Sequence, residues 1–141
     1  MSIKTRVMEL GREARAASRV VAASDVATRN RALLAVREAI ADQATAVLAA
    51  NAEDVARGRT QGLSTPLLDR LVLDQARLEG ILASLEQVAA LPDPVGAIDG
   101  VRTMNSGIRV GRMRVPLGVV AIVYESRPNV TIEAALSLIH I

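Results

Sequence analysis

The stretch Val119-Val120-Ala121-Ile122-Val123-Tyr124, with Glu125-Ser126-Arg127-Pro128-Asn129 after it and Val130-Thr131-Ile132-Glu133-Ala134-Ala135-Leu136 beyond, decides the fold class. An unbroken β-branched run is how a strand covered on both faces reads, and such strands belong chiefly to parallel α/β sheets. The polar residues that follow form a loop, and the segment from Val130 starts like a helix. Strand, polar loop and helix make the first half of a βαβ unit, without its second strand. Open α/β folds place ligands at such a loop, beyond the carboxyl end of the strand. The free N–H groups of the helix start favour phosphate or carboxylate there. Within the loop, Arg127 offers a bidentate donor fork. Asn129 can cap the helix or aim its amide at a developing oxyanion. Each also has an ordinary reading, as a surface ion-pair residue and a plain cap. Tyr124 reads as a core residue with its hydroxyl at the sheet edge. Neither a G-x-G-x-x-G fingerprint nor a Walker sequence is present.

Upstream of residue 92 the apolar residues follow a helical period. Leu33, Ile40, Ala44, Val47 and Leu48 share one face of a helix that Ser24 or Asp25 can cap. Gly58 and Gly62 bracket a break, and Thr65-Pro66 reads as N-cap and first helical residue. Asp74 caps a further helix with the stripe Leu78, Ile81, Leu82, Leu85 and Val88, which Leu91-Pro92-Asp93-Pro94 ends. After residue 95 the period shortens to two. Val101–Met104 and Ile108–Val110 flank Asn105-Ser106-Gly107, which predicts a hairpin. Arg112 and Arg114 alternate with Met113 and Val115, as on a half-exposed strand.

Composition narrows the chemistry. The 141 residues include no Cys, Trp or Phe, one His and one Tyr, so Ala, Val, Leu and Ile must build the core. Without cysteine there is no disulfide, thiolate zinc site or Cys nucleophile in this sequence. A single His excludes a His-cluster metal site and argues against a Ser-His-Asp triad. Seventeen basic residues against 15 acidic leave a net charge of +2, with Lys4 the lone lysine. Arginines interleaved with acids, as in Arg12-Glu13 and Arg37-Glu38, and no aromatic platform argue for a solvated mixed-charge surface over nucleic-acid binding. No secretory signal opens the sequence, and no apolar run approaches a membrane span, so the expected setting is cytoplasmic.

Val115-Pro116-Leu117-Gly118-Val119-Val120 through Tyr124-Glu125-Ser126-Arg127-Pro128-Asn129-Val130-Thr131 resembles the signature of gamma-glutamyl phosphate reductase, of the aldehyde dehydrogenase superfamily. Leu48-Ala49-Ala50-Asn51-Ala52-Glu53-Asp54 and Leu68-Asp69-Arg70-Leu71, running on to Val88-Ala89-Ala90-Leu91-Pro92-Asp93-Pro94-Val95-Gly96, fit the same family. The resemblance implies an α/β fold in which N-terminal helices lead into the first strands of a Rossmann-like cofactor domain, truncated here. Residues 1–136 would form the N-terminal part of that domain, helical over 1–95, with the hairpin and first parallel strand over 96–136. Residues 137–141, His140 included, depart from the family and read as a divergent or artefactual tail.

The implied activity is NADPH-dependent reduction of L-glutamyl 5-phosphate to L-glutamate 5-semialdehyde, with phosphate release, in proline biosynthesis. In the family a cysteine thiolate displaces phosphate and hydride reduces the resulting thioester. That cysteine lies beyond the matching region, so the chain alone is expected to be inactive. The resemblance nominates Asn129 as an oxyanion donor, and Ser126 and Arg127 as contacts to substrate or cofactor phosphate. It implies a small-molecule substrate, no nucleic acid or membrane partner, and a homo-oligomer at full length. Two other readings stand beside it: a non-catalytic helical module docking through its apolar stripes, and a relative acting on a different acyl substrate.

Overall fold

The computed structural model describes residues 1–125 and 127–138. Five helices come first: α1 (Ile3–Ala23), α2 (Val26–Asp42), α3 (Ala44–Thr60), α4 (Thr65–Leu71) and α5 (Gln75–Ala89). An antiparallel hairpin of β1 (Ile98–Thr103) and β2 (Arg109–Met113) follows, and α6 (Pro128–Leu138) closes the described chain.

Local chemistry sets most helix ends. Asp25 caps α2 by accepting the Thr28 amide at 2.7 Å, while Ser24 closes α1. The Thr28 side chain, then its backbone amide, hold the Asp25 carboxyl below the usual carboxylate range. Asp74 caps α5 in the same way, through the Arg77 amide at 2.8 Å. Other ends differ from the sequence reading. The apolar face over Leu33–Leu48 belongs to two helices, broken at Gln43. It keeps Leu33 buried and Ile40, Ala44 and Leu48 against the core, whereas Val47 is exposed. Ser64, not Thr65, is the N-cap of α4, which moves Pro66 one residue deeper into the first turn. Of the two glycines expected to bracket a break, only Gly62 (φ +76°) ends a helix. Gly58 lies inside α3, where a β-carbon would come within 2.8 Å of Leu63 Cδ1 and 3.3 Å of Leu68 Cδ2. Its missing side chain lets α4 close onto α3.

The stripe on α5 is the centre of the core. Leu78 and Leu85 are 1% and 0% exposed, and with Ile81 they pack against Leu33 of α2, Leu73 and Leu136 of α6. Two buried polar side chains tie distant segments to this core. Asn51 of α3 donates to the Leu71 carbonyl at 2.9 Å and accepts the Leu73 amide at 2.7 Å, which fixes the α4–α5 turn. Arg29 of α2 donates to the Ser24 carbonyl at the end of α1 and pairs with Asp93 in the turn after α5. A guanidinium in that place answers both the carboxylate and the negative end of the α1 dipole.

The hairpin forms where the alternation predicts it. Gly107 (φ +85°) closes the turn through Gly107 N–H to Met104 C=O, 2.8 Å. Ile98 faces Met113 and Thr103 faces Arg109, with a bulge between Asp99 and Arg102. Every hairpin residue is exposed. The run 119–124 differs more from expectation. It lies outside any ladder among the described residues, and each of Val119, Val120, Ile122, Val123 and Tyr124 is at least two-fifths exposed. The burial on both faces that its composition calls for is therefore not supplied within this chain. Tyr124, expected in a core, is half-exposed and reaches Thr131 Oγ1 of α6 at 2.7 Å. Helix α6 continues through Ser137 and Leu138, the first residues of the expected tail, and Ile139-His140-Ile141 lie outside the described residues.

Candidate functional site

Where α6 leans on α5, the start of α6 faces the α4–α5 turn across a cleft of about 470 Å³. One wall carries Asp69 and Arg70 of α4, Val72 and Leu73 of the turn, and Arg77, Gly80, Ile81 and Ser84 of α5. The other carries Arg127, Pro128, Asn129 and Glu133. The core beneath fixes both walls: Leu78, Ile81 and Leu85 hold α5, Leu136 anchors α6, and the Asn51 clamp holds the turn.

Polar groups of the cleft fall into two kinds. Some are already engaged. Arg77 donates to Asp69 Oδ1 at 2.8 Å and to the Val72 carbonyl at 2.8 Å. Asn129 Nδ2 donates to Glu133 Oε1 at 2.7 Å. Others are available: among the described residues, the side chains of Arg70 and Arg127 make no ion pair or hydrogen bond, and both are exposed. Two unengaged guanidinium groups on opposite elements, with two carboxylates in the same lining, suit a small ligand that carries negative charge.

Of the residues nominated from sequence, the structure brings Arg127 and Asn129 to the same cleft. Ser126 lies outside the described residues. Asn129 does not cap α6. It sits in the first turn with its amide on Glu133, and Val130 N–H donates to the Arg127 carbonyl at 3.1 Å. The α4–α5 wall escaped the sequence reading as a site, although Leu68-Asp69-Arg70-Leu71 had been singled out as a family segment. Nothing in its spacing tells that it meets residues 127–133.

The same order of elements occurs in solved proteins. A gamma-glutamyl phosphate reductase from Thermotoga maritima matches 94% of this chain with a TM-score of 0.88 and 33% sequence identity. One from Saccharomyces cerevisiae matches 94% of the chain with a TM-score of 0.88 and 29% identity. The chain is similar in fold and in sequence to gamma-glutamyl phosphate reductases. It corresponds to the N-terminal region of these reductases and spans about a third of their length, 32% and 34%. The agreement covers 94% of the chain in both comparisons. No family model matches the sequence.

A nicotinamide dinucleotide is not fitted by this chain's residues alone. Arg127 can meet a phosphate, but among the described residues the run leading to it has no neighbouring strand, and no positive-φ glycine opens the start of α6. Among the described residues there is no cluster of His, Cys, Asp or Glu able to hold a metal ion, and no helix long and apolar enough to cross a membrane.

Proposed function

We propose that the chain supplies part of the substrate site of an NADPH-dependent reductase that converts L-glutamyl 5-phosphate to L-glutamate 5-semialdehyde and phosphate, a step of proline biosynthesis in the cytoplasm. The observation that carries this reading is the match over 94% of the chain at 33% identity to a gamma-glutamyl phosphate reductase. The net reaction adds hydride from NADPH and a proton to the acyl phosphate, giving aldehyde, inorganic phosphate and NADP⁺. The nucleophilic thiolate and the dinucleotide seat are assigned to the part of the reductase that this sequence, with its zero cysteines, does not supply.

Within the cleft, Asn129 is the oxyanion donor. Its amide sits at the start of α6, where the helix dipole adds to the stabilisation of negative charge. Exchanging Glu133 for a substrate oxygen would cost it one hydrogen bond and return another. Arg127 binds an anionic group of the substrate or cofactor, and Ser126 beside it shares that role. The complete enzyme is a homo-oligomer.

The test is a chimera in which residues 1–138 replace the matching third of the Thermotoga maritima enzyme. NADPH oxidation that depends on glutamyl phosphate is expected from the chimera, and none above the enzyme-free rate from the 141-residue chain. A folded but inert chimera, or turnover by the chain alone, overturns the reading.

A further inference from the structure

We infer that Arg70, paired across the cleft with Arg127, forms the subsite for the amino-acid headgroup of the substrate, so that specificity for an α-amino acid tail is written in this chain. The inference rests on the reductase reading for the identity of the substrate, and on the cleft for the subsite.

The argument begins with charge. The cleft walls carry three arginines and two carboxylates. Arg77 is committed to Asp69 and to a turn carbonyl, which leaves Arg70 and Arg127 as the cations with unspent donors among the described residues. Each presents a planar fork that matches a carboxylate. The Asp69 carboxylate accepts from Arg77 and the Glu133 carboxylate from Asn129, and an ionised carboxylate accepts up to about four bonds. They therefore retain acceptor capacity for an ammonium group.

A seat for phosphate alone would not be lined with two carboxylates, because like charge repels a phosphoryl dianion. A zwitterionic headgroup meets both signs: its α-carboxylate answers Arg70 and Arg127, and its α-ammonium answers Asp69 and Glu133. The cleft volume of about 470 Å³ is within the range of small-molecule sites, with room for a five-carbon amino acid. The same cleft holds Asn129, so the headgroup subsite and the oxyanion donor share one substrate.

The experiment titrates the 141-residue chain with L-glutamate, glutarate and inorganic phosphate, followed by amide and arginine side-chain NMR shifts. L-Glutamate is expected to move the signals of residues 69–84 and 127–133 and to bind at least several-fold more tightly than glutarate, which lacks the ammonium, or phosphate. Arg70→Gln should weaken L-glutamate by about tenfold, the loss of one charge-assisted contact. Arg59→Gln, on exposed α3 away from the cleft, should leave it unchanged. Equal binding of glutarate, tighter binding of phosphate, or an Arg70→Gln chain that binds glutamate as well as the parent each overturns the subsite. Because these readouts need no turnover, an inert chimera with intact glutamate binding removes the reductase reading and keeps the subsite. An active chimera without glutamate binding here does the reverse.

Discussion

Arg29 shows how much one side chain can hold. It is 6% exposed, it closes the carboxyl end of α1, and its partner Asp93 lies 64 residues away. Removing the guanidinium leaves the partly buried Asp93 carboxylate, which also accepts the Val95 amide, short of its charged partner, a loss of about 3 kcal/mol. Arg29→Met keeps the length and apolar stem of the side chain, so the loss it reports is that of the charge. The expected outcome is a fall of that size in the unfolding free energy measured in urea, with Asp93→Asn recovering part of it on the Arg29→Met background. Neither residue could be singled out from sequence. Asp25 and Asp74 were legible because a cap bonds an amide three residues away. Arg29 with Asp93, and Asn51 with Leu73 22 residues on, act through the fold that they help to close. Arg70 shares this property, which is why the α4–α5 half of the cleft was missed, whereas Arg127 was legible from its place in the loop after the β-branched run.

At the scale of elements, stability follows burial. Helix α5 places Leu78, Ile81 and Leu85 in the core, whereas the hairpin buries no residue, and an isolated two-stranded ribbon is marginal in water. Amide hydrogen exchange should separate the two: α5 exchanges only with global unfolding, while 98–113 and the extended run 119–124 exchange much faster through local opening. Uniformly slow exchange across both would contradict the assignment. The elements with local signatures were readable in advance. The α5 stripe repeats at three and four residues, and Gly107 occupies a hairpin-turn position with positive φ. The break at Gln43 was not readable, since neither proline nor glycine marks it and the apolar face runs through it unchanged. The run 119–124 was legible in its composition, and among the described residues it stands exposed and outside any ladder. β-Branched residues declare a preference for a covered, laddered strand, but the neighbours that would satisfy it must come from elsewhere.

For the whole molecule, the chain is a core of helices with a polar cleft between α5 and the start of α6 and with apolar surfaces left bare elsewhere. Helix α1 buries no residue, and apolar side chains of the 115–124 segment face outward. Both features fit a unit that spans about a third of its relatives' length. The α5 stripe lies in the core, with Leu78, Ile81 and Leu85 buried and Leu82 and Val88 packed against them. The central claim is that the cleft between α5 and α6 is where the acyl group is turned over, with Asn129 facing the oxyanion. The most direct measurement is kcat and KM for glutamyl phosphate in the Thermotoga maritima chimera carrying Asn129→Ala. Loss of one preorganised oxyanion donor predicts a kcat lower by about 10²–10³-fold with KM nearly unchanged; an unaltered kcat in the folded variant would contradict the account.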